Sequence, residues 1–272
     1  MTLSYDPHVA STRVERGRPR GRETERDELA VEEPLDIRVD GEALAVTMRT
    51  PGEDEELAVG FLLGEGLIGG MGDVVGVGPT EDLARNVVDV RTRAGLRRDP
   101  RDERRFYLSS SCGVCGKAAL EFVGHAAPRA APAPPLDPRV VEDAPERARA
   151  AQLAFERTGG LHATALFDSS GEMLVLREDV GRHNAMDKAI GALALAGRPL
   201  APGCFACLSG RVSFELVQKA SLARLAGLVA VGAPSTLAVD LARERGMLLC
   251  GFVRGATFNV YAGADRLGRA AR

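Results

Sequence analysis

The residues with the clearest chemical potential are two cysteines in the run Ser-Ser-Ser-Cys-Gly-Val-Cys-Gly-Lys, which covers residues 109–117. A cysteine attacks as its thiolate, and a thiolate needs positive charge or free backbone N–H groups nearby. The residues after Cys115 favour a helix, so Cys112 would lie at or just before a helix N-terminus, where the helix dipole stabilises an anion. Lys117 adds a cation close by. We therefore predict that Cys112 is a reactive cysteine.

A Cys-x-x-Cys pair has two other common interpretations, half of a zinc site and a thioredoxin-like redox pair. A closed zinc site needs more ligands. The other close pair, Cys204 and Cys207, lies in a predicted buried strand where residues three apart point to opposite faces. We therefore predict no metal site, and we assign Cys250 to the core. A zinc-stapled binding module and a thiol-disulfide oxidoreductase stay open as alternative functions, although the redox motif usually comes early in its βαβ unit and here stands between two domains.

Two further polar clusters each follow a predicted strand and open a predicted helix. The first reads Asp-Val-Gly-Arg-His-Asn-Ala-Met-Asp-Lys at residues 179–188, and the second reads Ser-Gly-Arg-Val-Ser-Phe-Glu at residues 209–215. Both are candidate anion sites, because a helix N-terminus binds phosphate through its free N–H groups. For the second cluster, ordinary helix capping by Ser213 is an equal alternative. The candidate binding residues are Arg182, His183, Asn184, Ser209 and Arg211.

His162 enters a predicted strand at a place where a zinc deaminase would carry His-x-Glu, followed later by Pro-Cys-x-x-Cys. Here Thr164 stands in place of the glutamate, and Gly203 precedes Cys204. Zinc deaminase chemistry is therefore not expected, and His162 is not counted among the candidate site residues.

The composition limits the classes of protein to which this chain can belong. With 272 residues and 45% hydrophobic residues, it can bury a core without disulfides. No stretch approaches the ~20 apolar residues of a membrane span. Five unevenly spaced cysteines argue against a secreted disulfide framework. A net charge of -3 and the lack of tryptophan give no general attraction to nucleic acid. We expect a cytoplasmic protein that binds neither nucleic acid nor membranes.

The sequence pattern divides the chain into a flexible tail, a small α+β domain, a linker and a layered α/β domain. Arginines and acids without large apolar residues predict the tail. Apolar alternation around Asp40-Gly41 predicts a β-hairpin, and an apolar face after Pro51-Gly52 predicts a helix. The predicted boundaries are 1–26 for the tail, 27–125 for the small domain ending in the Cys-x-x-Cys loop and its helix, 126–138 for the Ala- and Pro-rich linker, and 139–265 for the α/β domain.

Strands and helices alternate in the α/β domain, which predicts layers around a partly parallel sheet. Ligands of such sheets bind at the carboxyl ends of the strands. Short strands at 74–77, 87–90 and 106–108 complete the small domain. In the α/β domain the predicted helices cover 143–157, 183–196, 213–226 and 236–245, and the predicted strands cover 161–167, 173–176, 204–208, 228–231, 248–253 and 257–261.

Four motifs resemble the FdhD family, the sulfur carrier proteins needed for formate dehydrogenase activity. They occur in the family's order at residues 56–66 (Glu-Leu-Ala-Val-Gly-Phe-Leu-Leu-Gly-Glu-Gly), 110–117, 179–188 and 209–219. The resemblance extends from residue 29 to residue 262. It implies a cytidine-deaminase-like α/β domain, which agrees with the predicted order of elements.

The resemblance implies that Cys112 accepts persulfide sulfur from a cysteine desulfurase and transfers it to the molybdenum bis-molybdopterin guanine dinucleotide cofactor destined for formate dehydrogenase. The chain would then be a sulfurtransferase with a chaperone-like role. We expect it to associate with the desulfurase, with formate dehydrogenase and with a second copy of itself as a homodimer. GDP-like nucleotides would bind at the cofactor's site. The family's cofactor-binding stretch corresponds to Phe252, Val253, Arg254, Gly255, Ala256 and Thr257.

Cys115 provides a hypothesis for how sulfur leaves Cys112. Its thiolate would attack the Cys112 sulfur, release sulfide toward molybdenum and leave a Cys112–Cys115 disulfide. Arg182, Arg211 and Arg254 would hold the phosphates of the guanine dinucleotides, because guanidinium groups match phosphate geometry.

Overall fold

A computed structural model describes residues 6–19, 21–79, 86–97, 128–198 and 200–268 of the chain. The Cys-x-x-Cys loop with Cys112 and Cys115, the strand predicted at 106–108 and the helix predicted after Cys115 lie outside the described residues. Within the described part of the chain, no helix has the length and apolar character needed to cross a membrane.

The N-terminal segment forms an antiparallel hairpin, with strand β1 over Val9–Arg18 and strand β2 over Gly21–Ala30. The flexible tail predicted over residues 1–26 is therefore wrong where the structure describes this segment. Backbone pairing forms this ladder without burial of large apolar groups, and oppositely charged side chains on the two strands lie close enough for ion pairs, in a register that composition does not reveal. The cross-strand ion pairs are Arg16–Glu25, Arg18–Glu25, Arg18–Glu23 and Arg22–Glu15.

A four-stranded sheet and one helix form the first lobe. Its elements are β3 Glu33–Val39, β4 Glu42–Arg49, α1 Asp54–Gly64, β5 Val74–Pro79 and β6 Val87–Thr92. The strand order is β4-β3-β6-β5, and the apolar side of α1 covers one face of the sheet. Asp40 and Gly41 have φ values of 53° and 84°, as a tight hairpin turn requires. The hairpin and the helix predicted for this part of the chain are confirmed.

A six-stranded sheet forms the centre of the second lobe. Its elements are α2 Pro138–Ala150, α3 Leu153–Thr158, β7 His162–Phe167, β8 Met173–Asp179, α4 Arg182–Leu195, β9 Phe205–Leu208, α5 Phe214–Leu222, β10 Gly227–Ala230, α6 Thr236–Arg245, β11 Leu248–Arg254 and β12 Thr257–Ala262. The strand order is β12-β11-β10-β9-β7-β8. Strands β9, β10 and β11 are parallel and the other pairs are antiparallel, so the predicted partly parallel sheet is confirmed.

The helix predicted over 143–157 is instead two helices, α2 and α3. Helix α2 begins earlier, because the Asp137 side chain accepts a hydrogen bond from Arg139 N and Pro138 occupies the first turn. The break falls at Gln152, whose ψ of 77° is not helical. Residues 128–135 of the predicted linker have no regular secondary structure, yet they are attached to the second lobe, for example where Ala130 N donates to Arg245 O.

Helices cover both faces of the six-stranded sheet, which gives three layers. Helices α4, α5 and α6 pack on one face, and α2 packs on the other. Cys204 belongs to the core on the first face and Cys207 to the core on the second, so these two cysteines point apart as predicted. Cys250 is buried in the core on the α2 side, as predicted.

The two lobes meet where α1 crosses α4, and two glycines allow the helices to touch. A Cβ added at Gly60 would lie 1.8 Å from Asp187 O, and one added at Gly191 would lie 1.9 Å from Glu56 O. Any larger residue would need the backbones to move apart. We call this region, formed by α1, α4 and the residues that contact them, the lobe junction.

A fully buried ion pair holds the first lobe at the lobe junction. Lys188 Nζ lies 2.9 Å from Asp179 Oδ2, and both side chains have no exposed surface. The backbone of Thr50, between β4 and α1, donates its N–H to Asp179 at 3.1 Å and accepts from Lys188 Nζ at 2.8 Å. This pair therefore belongs to the architecture and not to an open site.

A second buried pair lies at the helix crossing itself, where the backbone of Asp187 contacts Gly60. Lys219 Nζ lies 3.0 Å from Asp187 and 2.8 Å from Glu65, and it connects α5 with α4 and the end of α1. Burial alone would lower the pKa of Lys219, but the two carboxylates raise it above its ordinary value. Lys219 therefore stays charged inside the protein.

Candidate functional site

Five strand ends of the second lobe meet along one edge of its sheet. Strands β8, β9, β10 and β11 end there, and antiparallel β7 begins there, because His162 pairs with Asp179. Backbone hydrogen bonds connect the loops in a row, from Gly232 N to Gly210 O and from Phe252 N to Gly232 O. We call this region the carboxyl edge; it comprises residues 162, 179–183, 209–215, 231–235 and 252–257.

Two helices begin at the carboxyl edge without side-chain caps. The N-cap residues of α4 and α5, Gly181 and Ser213, make no side-chain capping hydrogen bond, whereas Ser235 caps α6 by accepting from Ala238 N. Ordinary capping by Ser213, the alternative considered for this cluster, is therefore wrong. The first-turn N–H groups of α4 and α5 therefore donate to no N-cap side chain. At α5 the Glu215 carboxylate instead accepts from its own backbone N–H, so the N-terminus of α4 is the more open place for an anion.

Three predicted arginines lie on this edge. Arg182 is half-buried at the start of α4, and Arg211 and Arg254 are exposed on the loop after β9 and at the end of β11. Within the described residues, none of the three forms an ion pair or a hydrogen bond with a carboxylate. Ser209 lies between them, and its Oγ accepts from Ala163 N at 2.9 Å, which leaves the hydroxyl proton available. These groups can bind a phosphate-rich ligand.

His183 faces the N-terminus of α5. Its Nε2 lies 3.1 Å from Ser213 Oγ and 3.9 Å from Glu215 Oε2. Burial, followed by the charge of Arg182, lowers the pKa of His183 to about 4. The imidazole is therefore neutral near neutral pH.

Asn184, predicted as a binding residue, instead forms hydrogen bonds within the lobe junction. Its Nδ2 donates to Met48 O at 2.7 Å and to Asp179 Oδ1 at 3.0 Å, and its Oδ1 accepts from Thr47 Oγ1 at 3.2 Å. The side chain is only 8% exposed. We correct the prediction for Asn184, because both ends of its amide are occupied by the first lobe.

The stretch 252–257 ends β11 and turns into β12. Phe252 has φ 55°, which is strained for a residue with a side chain, and its ring is 43% exposed. Arg254, Gly255, Ala256 and Thr257 are exposed, and Thr257 Oγ1 donates to Arg254 O at 3.0 Å. The side chain of Val253 is buried in the core on the α2 side, so only its backbone can contact a ligand.

His162 lies on the carboxyl edge between β8 and β9, although the sequence did not place it among the site residues. Burial, then the charge of Arg182, lowers its pKa, and Asp179 opposes this shift. The signal that could have found it is its position at the sheet edge, where antiparallel β7 starts beside the end of β9. The sequence was compared only with the His-x-Glu pattern of zinc deaminases, and His162 did not fit it because Thr164 stands in place of the glutamate.

Comparison with known proteins agrees with the four motifs. The model of the FdhD/NarQ family matches residues 30–268. The chain is 51% identical over 255 residues to the sulfur carrier protein FdhD of Streptomyces coelicolor, with 90% of each chain covered. It is 53% identical over 253 residues to the sulfur carrier protein FdhD of Mycolicibacterium paratuberculosis, with 88% of this chain and 92% of the relative covered.

A solved structure shares the fold. The crystal structure of a proposed formate dehydrogenase accessory protein from Desulfotalea psychrophila matches with a TM-score of 0.77 at 24% identity, over 96% of this chain and 100% of that chain. The match of the family model to most of the chain and the identities near one half lead to one conclusion: the chain belongs to the FdhD/NarQ family.

Proposed function

We propose that this protein is a sulfurtransferase that accepts persulfide sulfur on Cys112 from a cysteine desulfurase and delivers it to the molybdenum bis-molybdopterin guanine dinucleotide cofactor, which it binds as cargo for formate dehydrogenase. The relatives named above are sulfur carrier proteins, and the run at 110–117 resembles a motif of that family. The observation that carries the proposal is the convergence at the carboxyl edge of three arginines, which pair with no carboxylate among the described residues, and two helix N-termini without an N-cap side-chain hydrogen bond.

The carboxyl edge has the length and the chemistry for a dinucleotide. From β8 to β11 the sheet spans four strand spacings, about 19 Å at ~4.8 Å each. Arg182, Arg211 and Arg254 would hold phosphates along this length, and the exposed ring of Phe252 would stack on a guanine. The strain at Phe252 fits a residue held in place for a ligand. GDP, which carries a guanine and a diphosphate, is the simplest probe of this site.

Sulfur acceptance is an exchange between two sulfurs. The Cys112 thiolate attacks the outer sulfur of the desulfurase persulfide, and the desulfurase cysteine leaves as a thiolate. Delivery follows when the Cys115 thiolate attacks the Cys112 sulfur. Hydrosulfide leaves toward the cofactor and a Cys112–Cys115 disulfide remains, which an external thiol must reduce before the next cycle.

The remaining expectations belong to the same proposal. The second lobe would have the cytidine-deaminase-like topology of the family, and Thr164 in place of the deaminase glutamate fits a fold that has kept the architecture without that chemistry. The protein would act in the cytoplasm as a homodimer, and it would meet the desulfurase and formate dehydrogenase in turn.

Persulfide formation tests the first half of the proposal. After incubation with a cysteine desulfurase and cysteine, intact mass spectrometry is expected to find one added sulfur atom per chain. Cys112→Ser should abolish the addition, because it removes the nucleophile. Cys115→Ser should keep the bound sulfur and slow its release to the cofactor.

Cys250→Ala is the matched control for persulfide formation. Cys250 is buried, and burial raises its pKa to about 12, as it does for Cys207, so neither thiol is a nucleophile at neutral pH. The control should therefore load sulfur like the wild type. Sulfur retained by Cys112→Ser at the wild-type level would contradict the proposal.

Calorimetry with GDP tests the second half of the proposal, the binding of the cofactor at the carboxyl edge. Arg182→Ala, Arg211→Ala and Arg254→Ala are each expected to weaken binding about tenfold, because each removes a charge-assisted hydrogen bond to phosphate. Arg139→Ala is the control, since Arg139 belongs to α2, which packs on the opposite face of the sheet. Unchanged affinity in all three edge variants would reject the assignment of the cofactor site.

A further inference from the structure

One strand of the carboxyl edge carries two polar groups that the proposed transfer does not use. His162 begins β7, and a Cβ added at Gly210 would lie 3.2 Å from its Nδ1, so the imidazole lies directly against the loop after β9. Thr164, two residues further along β7, is on the same face of the strand. Its Oγ1 is buried and has no hydrogen-bond partner among the described residues. A buried unpaired hydroxyl costs free energy, which indicates that this face of the edge receives a polar ligand.

The orientation of this face follows from the packing of β7. Leu166, next in the same alternation, packs in the core beneath α4 and α5 with Met186 and Leu216. His162 and Thr164 therefore face the layer of helices whose uncapped N-termini point to the edge. The polar face of β7 and the N-terminal turns of α4 and α5 therefore lie on the same side of the sheet at the carboxyl edge.

His183 on α4 is close enough to His162 for their charges to interact, and each imidazole responds to defined charges. His162 is influenced by Arg182 on α4 and Asp179 on β8. His183 is influenced by Arg182, by Lys219 and Glu215 on α5, and by His162 itself. Burial is the largest cause of the lowered pKa of both imidazoles, and the charge of Arg182 lowers both pKa values further, so both are neutral near pH 7 while no anion is bound beside them.

We propose that His162 is a further ligand-binding residue of the carboxyl edge, and that His162 and His183 together take up a proton from solvent when a nucleotide diphosphate binds beside Arg182. The inference rests on the proposed nucleotide site and adds a recognition residue and a pH dependence to it. The negative charge of the diphosphate stabilises a protonated imidazole, which then donates a hydrogen bond to a phosphate oxygen. Protonation of one imidazole repels a second proton on the other, so the pair takes up about one proton at most.

The sign of the pH dependence follows from linkage. The free imidazoles are neutral near pH 7, since the pKa of His183 is lowered to about 4 and that of His162 is also lowered. A bound anion raises these pKa values. Binding therefore takes up protons at pH values between the pKa of the free protein and the pKa of the complex. Affinity then rises as pH falls through this window, by up to about tenfold per pH unit for one proton.

The experiment is calorimetric titration with GDP at about pH 6 in two buffers of different ionisation enthalpy, which gives the number of protons taken up on binding. The protein is the full chain. Wild type is expected to take up more protons than His162→Asn and His183→Asn, and to gain about fivefold more affinity than His162→Asn between about pH 7.5 and about pH 6. Because GDP's own protonation is the same in every titration, the difference between variants belongs to the protein.

His8→Asn is the matched control. His8 lies in the N-terminal segment, where its Nε2 is 3.5 Å from Glu53, and it is not part of the carboxyl edge. This variant should take up protons as the wild type does. His162→Gln, which keeps a side chain of similar reach, replaces His162→Asn if thermal unfolding shows that the latter is not folded.

Two outcomes separate the failure of this inference from the failure of the proposed function. If GDP binds and proton uptake is the same in wild type and in the His162 variants, the proton-linked role of His162 is overturned and the nucleotide site stands. If wild type does not bind GDP, both the nucleotide site and this inference are overturned.

Discussion

Gly191→Ala is expected to lower the free energy of unfolding by about 3 kcal/mol, the upper part of the range for overpacking a closely packed contact. The new Cβ would lie 1.9 Å from Glu56 O, a distance that no rotamer change can relieve because the obstacle is backbone. Helices α1 and α4 would have to separate, and the lobe junction would lose packing along its length. Gly60→Ala, with its Cβ 1.8 Å from Asp187 O, should have a similar effect. Urea unfolding followed by circular dichroism measures both changes.

Gly72→Ala is the matched control for the junction glycines. An added Cβ at Gly72 would meet no atom within 4 Å, so this variant should unfold like the wild type. If Gly191→Ala proved as stable as Gly72→Ala, the close crossing of α1 and α4 would be incorrect. The glycines at 60 and 191 would then have no packing role at the lobe junction.

Lys188→Met is expected to destabilise the protein by about 3–5 kcal/mol, because it leaves the carboxylate of Asp179 buried without its cation. Asp179 would keep hydrogen bonds from Thr50 N, Gly181 N and Asn184 Nδ2, which reduce the cost but do not neutralise the charge. The effect should be measured as a shift of the urea midpoint. Since Thr50 O also loses its donor, the attachment of the first lobe should weaken with it.

Arg22→Met provides the comparison for the buried pair. Arg22 pairs with Glu15 on the exposed hairpin, where solvent screens the interaction, and its removal should cause no measurable change in stability. A Lys188→Met variant as stable as Arg22→Met would show that the Lys188–Asp179 pair is not the desolvated pair seen in the structure.

The elements whose structure depends on residues close together in the chain could be predicted from the sequence. The hairpin at Asp40-Gly41 follows from residues that tolerate positive φ between alternating apolar residues, and the opposite directions of Cys204 and Cys207 follow from the period of a strand. The hairpin formed by β1 and β2 could not be predicted, because its ion pairs join residues that lie diagonal to each other across the two strands, and these contacts depend on a register that composition does not show.

The polar cluster at 179–188 could be only partly assigned from the sequence pattern. The density of polar groups after a strand predicted a binding site, and the structure leaves Arg182 and His183 at the carboxyl edge. Asn184 and Lys188 instead contact β4 and the residue after it, more than 130 positions earlier in the chain. Spacing along a helix shows which residues share a face, but it does not show which distant element covers that face.

The lysines of this chain offer a consequence for labelling experiments. The sequence contains three, of which Lys188 and Lys219 are buried in ion pairs and Lys117 is next to the Cys-x-x-Cys pair. An acylating reagent can reach the amines at 188 and 219 only when the two lobes part. The rate at which these two positions are acylated under native conditions would therefore report how often the two lobes separate transiently.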